Sequence, residues 1–430
     1  MIINPADSRL DGIYKQRQDG FYMQRVKLPV GAISAEQVLL LCRVAERFGR
    51  GRIHLTTRGN IEIHWVKETD LPAVKRLMTS IGLTSRGACG GAVRGVTCSS
   101  QDATAFPQIE SLARRIHRHF TGNTRFERLP KKFKIGIEAN AGSKRHLIQD
   151  VGLVQVKSEA GRAWYDIWVA GGLGREPQPA FLLMPDLAEE RVIPLIEVIL
   201  KIYAARTPAG KRLKHLVREI GEDGLRQLIG AEPVAHEELP AYNGIPENFF
   251  AGGRESRVEV PVFAGDLSSK DFRKLAKFAQ KWAAGAMMVT ADQDIAFELS
   301  AEKPEAALTE LKKSGFIGSS VEERVSFRIC PGSHECLMGL VPTRDTARKI
   351  LAAMGPEAEQ KSWAISGCPN SCSQPQLADL GIVVSRLVSD DQGLKHPRFD
   401  LYQQQEDGFG KRIKETLTQE ELLDSVRQMG

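Results

Sequence analysis

The chain repeats itself, and that restricts its fold more than any other feature of its 430 residues. Residues 33–83 and 267–317 align without a gap at a constant offset of 234. Within them Val38, Leu41, Ala45 and Phe48 answer to Phe272, Leu275, Ala279 and Trp282. Apolar positions spaced in this way make one face of a helix. Ser34 and Ser268 stand where the N-cap of each helix belongs, and Gln37 completes a capping box with Ser34. A short strand precedes each helix, Val26 to Val30 and Val258 to Val262. An alternating strand follows it, Ile61 to Trp65 and Ile295 to Leu299, and then a second helix.

This β-α-β-α unit is about half of a ferredoxin-like sandwich, so two such halves pair into one pseudo-symmetric domain. The duplication runs further. Leu112-Ala-Arg-Arg-Ile116 matches Thr346-Ala-Arg-Lys-Ile350 at the same offset. Phe133-Lys-Ile-Gly-Ile and Asp150-Val-Gly-Leu-Val echo Trp363-Ala-Ile-Ser-Gly and Asp379-Leu-Gly-Ile-Val. The whole chain therefore reads as two copies of one long α+β module.

The copies differ in their chemistry. Copy two carries Cys330-x5-Cys336 and Cys368-x3-Cys372, each pair beginning with Cys-Pro, a composition of turns. A 4Fe–4S cluster needs four thiolates, and short Cys-rich loops supply them. Structural zinc, which usually takes more closely spaced cysteine pairs, and four unrelated buried thiols are the plainer alternatives. Copy one lacks these cysteines and has cations instead: Arg58, opposite Asp292, with Arg94, Lys132 and Lys134. Taken singly, Arg58 reads equally well as a strand-end surface residue, and Lys132 with Lys134 as the solvent face of a strand. The glycine-rich Gly171–Gly174 has no Lys-Ser/Thr and is not a P-loop. Divergence after duplication points to a site at the pseudo-twofold interface, with metal ligands from one half and positive charge from the other.

Hydrophobic content of 42% and charged content of 26% are those of an ordinary globular protein. Seven cysteines, an odd number, with no secretory leader ahead of them, argue against a disulfide framework. No run approaches the roughly 20 apolar residues that span a bilayer. A cytoplasmic protein with no membrane contact is the expectation. The formal charge is +6, yet no Lys/Arg block suggests nucleic acid. An acidic cofactor or an acidic protein partner suits such a charge. Cys42, Cys89 and Cys98 lack ligand spacing and read as buried thiols, and the stretch from Gln403 reads as a solvated helix.

Several motifs occur together: Leu55-Thr-Thr-Arg58, Leu129-Pro-Lys-Lys132-Phe-Lys134, Gly171-Gly-Leu-Gly-Arg175 and Gly367-Cys-Pro-Asn-Ser-Cys372. With the Ala205 to Leu216 segment that joins the copies, they resemble the siroheme- and 4Fe–4S-dependent sulfite and nitrite reductases, over Tyr22 to Gly381. The resemblance implies that Cys330, Cys336, Cys368 and Cys372 hold the cluster, with Cys372 also bridging to the siroheme iron. It implies that Arg58, Arg94, Lys132 and Lys134 bind the anion, and that other Arg and Lys of copy one meet the siroheme carboxylates. Ferredoxin-like half-domains are expected at 20–83 and 255–318, and siroheme-, anion- and cluster-binding domains at 84–245 and 319–430. The implied reaction is six-electron reduction of sulfite to sulfide or nitrite to ammonia. Without a flavin or nicotinamide fingerprint, the electrons are expected from a ferredoxin or a reductase subunit. Two positions depart from the family: Gly95 where Asn is common, and His54 where Arg is frequent. A precorrin-3B synthase, which shares the fold and cysteines but not the paired Lys-Phe-Lys, is one alternative. A non-catalytic electron-transfer subunit of a sulfite reductase complex and a zinc scaffold are the others.

Overall fold

The two half-domains are built into each other. Each contributes an edge strand to its neighbour's sheet. One sheet runs in the order Ile13–Lys15, Phe21–Val26, Ile61–Lys67, Arg52–Leu55 and then Asp266–Ser268 from copy two. Its counterpart runs Arg257–Val260, Ile295–Glu298, Ala286–Val289 and then Ala32–Ser34 from copy one. All these pairings are antiparallel. The computed structural model describes residues 5–98, 106–159, 161–232, 257–299, 304–318 and 320–429. The expected boundaries at 245, 255 and 319 lie outside the described residues.

The exchange follows from a kink placed alike in both copies. Val30 and Ala264, both at φ 59°, turn the chain out of its first strand and into the swapped one. Non-glycine residues enter this left-handed region at a cost, so the turn is held by what surrounds it. Asn60 Oδ1 accepts from Leu28 N at 2.9 Å, and Asp294 Oδ1 accepts from Val262 N at 2.8 Å. The helices Ala35–Phe48 and Ser269–Trp282 follow, capped as expected by Ser34 with Gln37 and by Ser268. They pack on each other through Val38, Leu41, Ala45, Phe272, Leu275 and Ala279, all fully buried in one core shared by both copies. Side chains of this kind each gain about 1.5–3 kcal/mol on burial, so the helix pair fastens the two halves together.

Each half-domain has one more strand before its alternating strand than expected, Arg52–Leu55 or Ala286–Val289, besides the exchanged one. Ala286–Val289 is apolar on both faces, and Arg52–Leu55, though it alternates, is only four residues long, so neither stands out as a period-2 strand.

The two remaining sheets also match. Thr97–Cys98, Ile135–Glu138 and Val151–Glu159 are parallel, and Arg162–Val169 and Phe181–Ala188 continue antiparallel. Phe327–Ile329, Trp363–Ser366 and Leu380–Ser389 are parallel, followed by Lys395–Gln403 and Lys411–Leu417. Helices Phe106–Phe120 and Thr343–Leu351 make the first crossover in each copy. Ile135 pairs with Val151 and Trp363 with Leu380. Ile135, not Phe133, is therefore the counterpart of Trp363. It follows that Lys134 corresponds to Ser362: the two amides donate to Asp150 and Asp379, each at 2.8 Å.

The stretch from Gln403 is not one solvated helix. Lys411–Leu417 pairs along the sheet edge, and Gln419–Arg427 buries Leu422 and Val426 against copy two's core. The many charges of Lys411–Leu417 face solvent from an edge strand, a common protection against strand pairing with other molecules.

A candidate active site at the seam between the copies

The cysteines leave the C-terminal ends of two parallel strands, the usual place for ligand loops in such sheets. Cys330 follows Phe327–Ile329, and Cys368 follows Trp363–Ser366. Leu340 N donates to Gly367 O at 2.8 Å and Gly367 N to Cys330 Sγ at 3.2 Å, which ties one loop to the other. The approach is possible because three glycines meet there. A Cβ on Gly339 would overlap the Gly332–Ser333 peptide, and one on Gly367 would come 2.9 Å from Thr343 Cγ2 and 3.1 Å from Gly332 Cα. Burial, and then the neighbouring Cys372, push the Cys330 thiol up and the Cys368 thiol up to about 11. Burial also raises Cys336, where Cys372 again adds. The four sulfurs thus share one electrostatic neighbourhood, which a bound metal centre would turn toward thiolates.

Copy one brings its cations to the same place. Lys132 and Lys134 are half-buried, and burial is the largest cause lowering both. Lys132 is pushed down to about 8, with Arg212, Arg94 and Lys131 adding to burial and Cys372 opposing. Lys134 goes well below the lysine range through burial, Lys132, Arg58 and Arg212, again with Cys372 opposing. The two lysines of copy one therefore feel the cysteine of copy two directly.

The two arginines are placed differently. Arg58 Nη1 donates to Gln149 Oε1 at 3.0 Å, and its Nη2 donates to Gly95 O at 2.6 Å and Ile135 O at 3.1 Å. Arg94 gives its Nη groups to Ala88 O and, at 2.9 Å, Gly90 O. Each guanidinium clamps backbone with its Nη groups and keeps a buried Nε with no acceptor. Burial and Arg94 push Arg58 down to about 9, so it remains a cation at neutral pH.

The seam is hydrogen-bonded as well as charged. Thr57 Oγ1 donates to Cys372 O at 2.9 Å, and Gln374 Nε2 donates to Thr57 O at 3.3 Å. The turn carrying Arg58 thus holds the loop carrying Cys372. Behind Lys134, the buried Asp150 takes Arg212 at two points, 3.2 Å and 2.8 Å. Arg212 and Lys214 in turn donate to the carbonyls of Gly171, Gly172 and Leu173. A side chain on Gly172 would collide with the Arg212 guanidinium. The glycine-rich loop and the basic joining segment are therefore one clamp behind the site.

Sequence reasoning missed two cations. Lys27, 1% exposed, donates to Val93 O at 2.9 Å and is lowered to about 7 by burial, Arg94 and Arg58. Arg25 donates to Ala88 O and Cys89 Sγ at 3.3 Å and 3.1 Å, and pairs with Glu62. Arg25 lies on Phe21–Val26 and Lys27 just beyond its end, and their counterparts Glu259 and Pro261 in copy two are the only sequence signal. Cys42 and Cys89 are buried and Cys98 partly so, but Cys89 is an Arg25 partner rather than a bystander.

Both departures from the family pattern have local explanations. A Cβ at position 95 would sit 3.0 Å from Asn60 Nδ2, so Asn60 occupies the space. His54 bonds Glu62 through Nδ1 at 3.0 Å, inside a buried network with His64 and Arg25.

Comparison with known proteins agrees with this geometry. The model for the nitrite/sulfite reductase ferredoxin-like half domain matches residues 14–81, and that for the nitrite and sulphite reductase 4Fe-4S domain matches 87–237. The chain is 24% identical to sulfite reductase (ferredoxin) 2 of Mycolicibacterium paratuberculosis, over 97% of this chain and 83% of that one. It is 26% identical to the ferredoxin–nitrite reductase of Synechococcus elongatus, over 95% and 86%. The structure of the Mycobacterium tuberculosis NirA protein superposes with a TM-score of 0.82 at 22% identity, covering 99% of this chain and 87% of that one. Fold and site together define a two-copy oxidoreductase built around an iron–sulfur centre and an anion. The chain belongs to the nitrite and sulfite reductase family, whose cofactors are siroheme and a 4Fe–4S cluster.

The residues present fit both groups. An all-sulfur donor set suits iron–sulfur ligation. Lys27, Arg58, Arg94, Lys132 and Lys134 have no carboxylate partner among the described residues. Buried charge without a counter-ion is costly. A polycarboxylate tetrapyrrole and an oxyanion supply the missing negative charge.

Proposed function

We propose that the chain reduces sulfite to sulfide or nitrite to ammonia by six electrons, taken singly from a ferredoxin. The observation that carries this reading is a group of buried cations without a carboxylate partner among the described residues, of which Lys132 and Lys134 interact electrostatically with Cys372 across the seam. When bound, the siroheme and the cluster supply a redox-active iron face and a one-electron store. Cys330, Cys336, Cys368 and Cys372 would hold the cluster, and Cys372 would be the thiolate that couples it to the siroheme.

The chain's own part is to bind the anion, balance its charge and deliver protons. Arg58 and Arg94 fix the loops around the anion and offer it their free Nε–H groups. Lys132 and Lys134 add charge; Lys132, lowered to about 8, can give up a proton near neutral pH and regain it, and burial with the neighbouring Lys132 lowers Lys134 well below the usual lysine range. The Thr57 to Cys372 hydrogen bond keeps the two halves in register during turnover.

The test is the visible spectrum of anaerobically purified protein before and after sulfite or nitrite, followed by turnover with reduced viologen. A siroheme band that shifts with one anion, and turnover of that same anion, supports the reading and picks the substrate. A cluster-only spectrum indifferent to both anions would overturn it and favour the precorrin-3B synthase or electron-transfer reading.

A further inference from the structure

Among the described residues five large apolar side chains are exposed, and two of them are adjacent: Leu337 at 53% and Met338 at 55%. They directly follow Cys336, itself exposed. The loop that presents them is braced. Arg17 reaches over from copy one, its N donating to Glu335 O at 2.8 Å and its Nε to Cys336 O at 3.4 Å. Gln18 Nε2 adds a bond to His334 O at 2.7 Å. Arg17 Nη2 also donates to Gly339 O, closing the far side. A fold that spends these bonds to hold two apolar side chains in water is presenting them.

Beside the pair lies a groove of about 550 Å3 with Cys368 in its wall, together with Met338 and Tyr402. Its charged rim is basic: Arg175, Arg386 and Arg412. Arg175 and Arg386 are exposed and have no carboxylate partner among the described residues. The carboxylate in the groove, Asp400, is already taken by Arg412 and by the Thr416 amide at 3.0 Å. An apolar knob beside two cations without carboxylate partners among the described residues, next to two of the four cysteines, suits a small acidic electron carrier.

We infer that Leu337, Met338, Arg175 and Arg386 form the docking face for an acidic iron–sulfur protein of the ferredoxin type. This inference rests on the proposed reductase function. The cations steer the partner, and the apolar pair gives a short-lived contact its centre. Such electron-transfer encounters bury little area and depend strongly on salt. The electron arrives where Cys336 is exposed and Cys368 lines the groove, and passes to the cluster they would hold.

The experiment compares wild type with R175E/R386E and with L337S/M338S, each with two reductants: a reduced acidic plant-type [2Fe–2S] ferredoxin and methyl viologen. With ferredoxin at low salt, KM should rise about tenfold in both variants, and the charge-reversed one should lose most of its salt dependence. With viologen, the rates and the visible spectrum should stay at wild-type values, because the four side chains are exposed and none is a cysteine ligand or one of the anion-binding cations. An unchanged KM for ferredoxin in both variants overturns the inference. So does a wild type that turns over with viologen but accepts nothing from ferredoxin. A change of oligomeric state in L337S/M338S would assign the face to a second copy of this chain instead. Failure of wild type with viologen on both anions would strike the reductase reading first, and the docking face with it.

Discussion

Replacing Asp150 with Asn tests the clamp behind the site. The carboxylate is fully buried, accepts the Lys134 amide at 2.8 Å and holds Arg212 at two points. Asparagine keeps the shape and removes the charge. It leaves Arg212 buried without a counter-ion, beside Arg58, Lys132 and Lys134, whose charges it already opposes. Breaking a buried pair in this way costs about 3–5 kcal/mol. Arg212→Gln alone should cost a similar amount, because Asp150 is then stranded. The double variant D150N/R212Q should lose less than the sum of the two by about 2–3 kcal/mol, since no charge is left alone. Urea unfolding followed by tryptophan fluorescence reads the loss, with Trp164 and Trp168, on the strand paired with Val151–Glu159, among its five reporters. Additive losses, or a D150N loss below about 1 kcal/mol, would refute the argument that this ion pair supports the cationic site.

Three further outcomes follow from the same structure. Lys132, lowered to about 8, is charged below that pH and neutral above it, so the rate on the anion should fall as pH rises through about 8. Lys132→Arg should flatten that limb, since arginine keeps its charge, and an unmoved limb would exclude Lys132 as the titrating group. Gly339→Ala should force open the loop that carries Cys330 and Cys336, so that iron and acid-labile sulfide per chain fall sharply while far-ultraviolet circular dichroism is kept; full iron content would contradict the close packing there. Phe272→Ala should cost about 3–5 kcal/mol and speed amide exchange in Ile61–Lys67 and Ile295–Glu298 together, whereas a loss confined to copy two would show that the core is not shared.

The duplication, the capped helices and the cysteine loops were legible because each leaves a local mark: a period, an N-cap, a spacing. The exchanged strands left none. Ala32–Ser34 and Asp266–Ser268 are three residues long and are strands only because the other copy offers them an edge. The correspondence of Lys134 with Ser362 was hidden for a similar reason, because their identities differ and only the shared bond to Asp150 or Asp379 aligns them. Arg25 and Lys27 looked like polar residues of an ordinary strand. Their burial comes from elements far along the chain, Gly87 to Val93 above all, and no period in the sequence reports that.

The turn at Arg58 shows how duplication produced two chemistries from one backbone. In copy one Thr56 Oγ1 accepts from Arg58 N and Asn60 N at 3.3 Å and 3.1 Å. In copy two Thr290 Oγ1 accepts from Asp292 N and Asp294 N, both at 3.2 Å. The frame is the same and the charge at its tip is reversed. Arg145 of copy one and Arg328 of copy two close on Asp292 at 2.6 Å and 3.0 Å. Against the opposing effect of burial, they hold it at about 2, so this turn is neutralised rather than left charged. Arg328 then spends its Nε on Ser373 O at 3.1 Å, directly after Cys372. The reversal therefore does two things at once. It removes the positive charge that an anion site would need in copy two, and it fixes Arg328, held by Asp292, as a brace for the cysteine loop. Copy one keeps its arginine, held by Gln149 and the Gly95 and Ile135 carbonyls, and this exchange of sign is one part of an asymmetry completed by the cysteines of copy two and by Arg94, Lys132 and Lys134 of copy one.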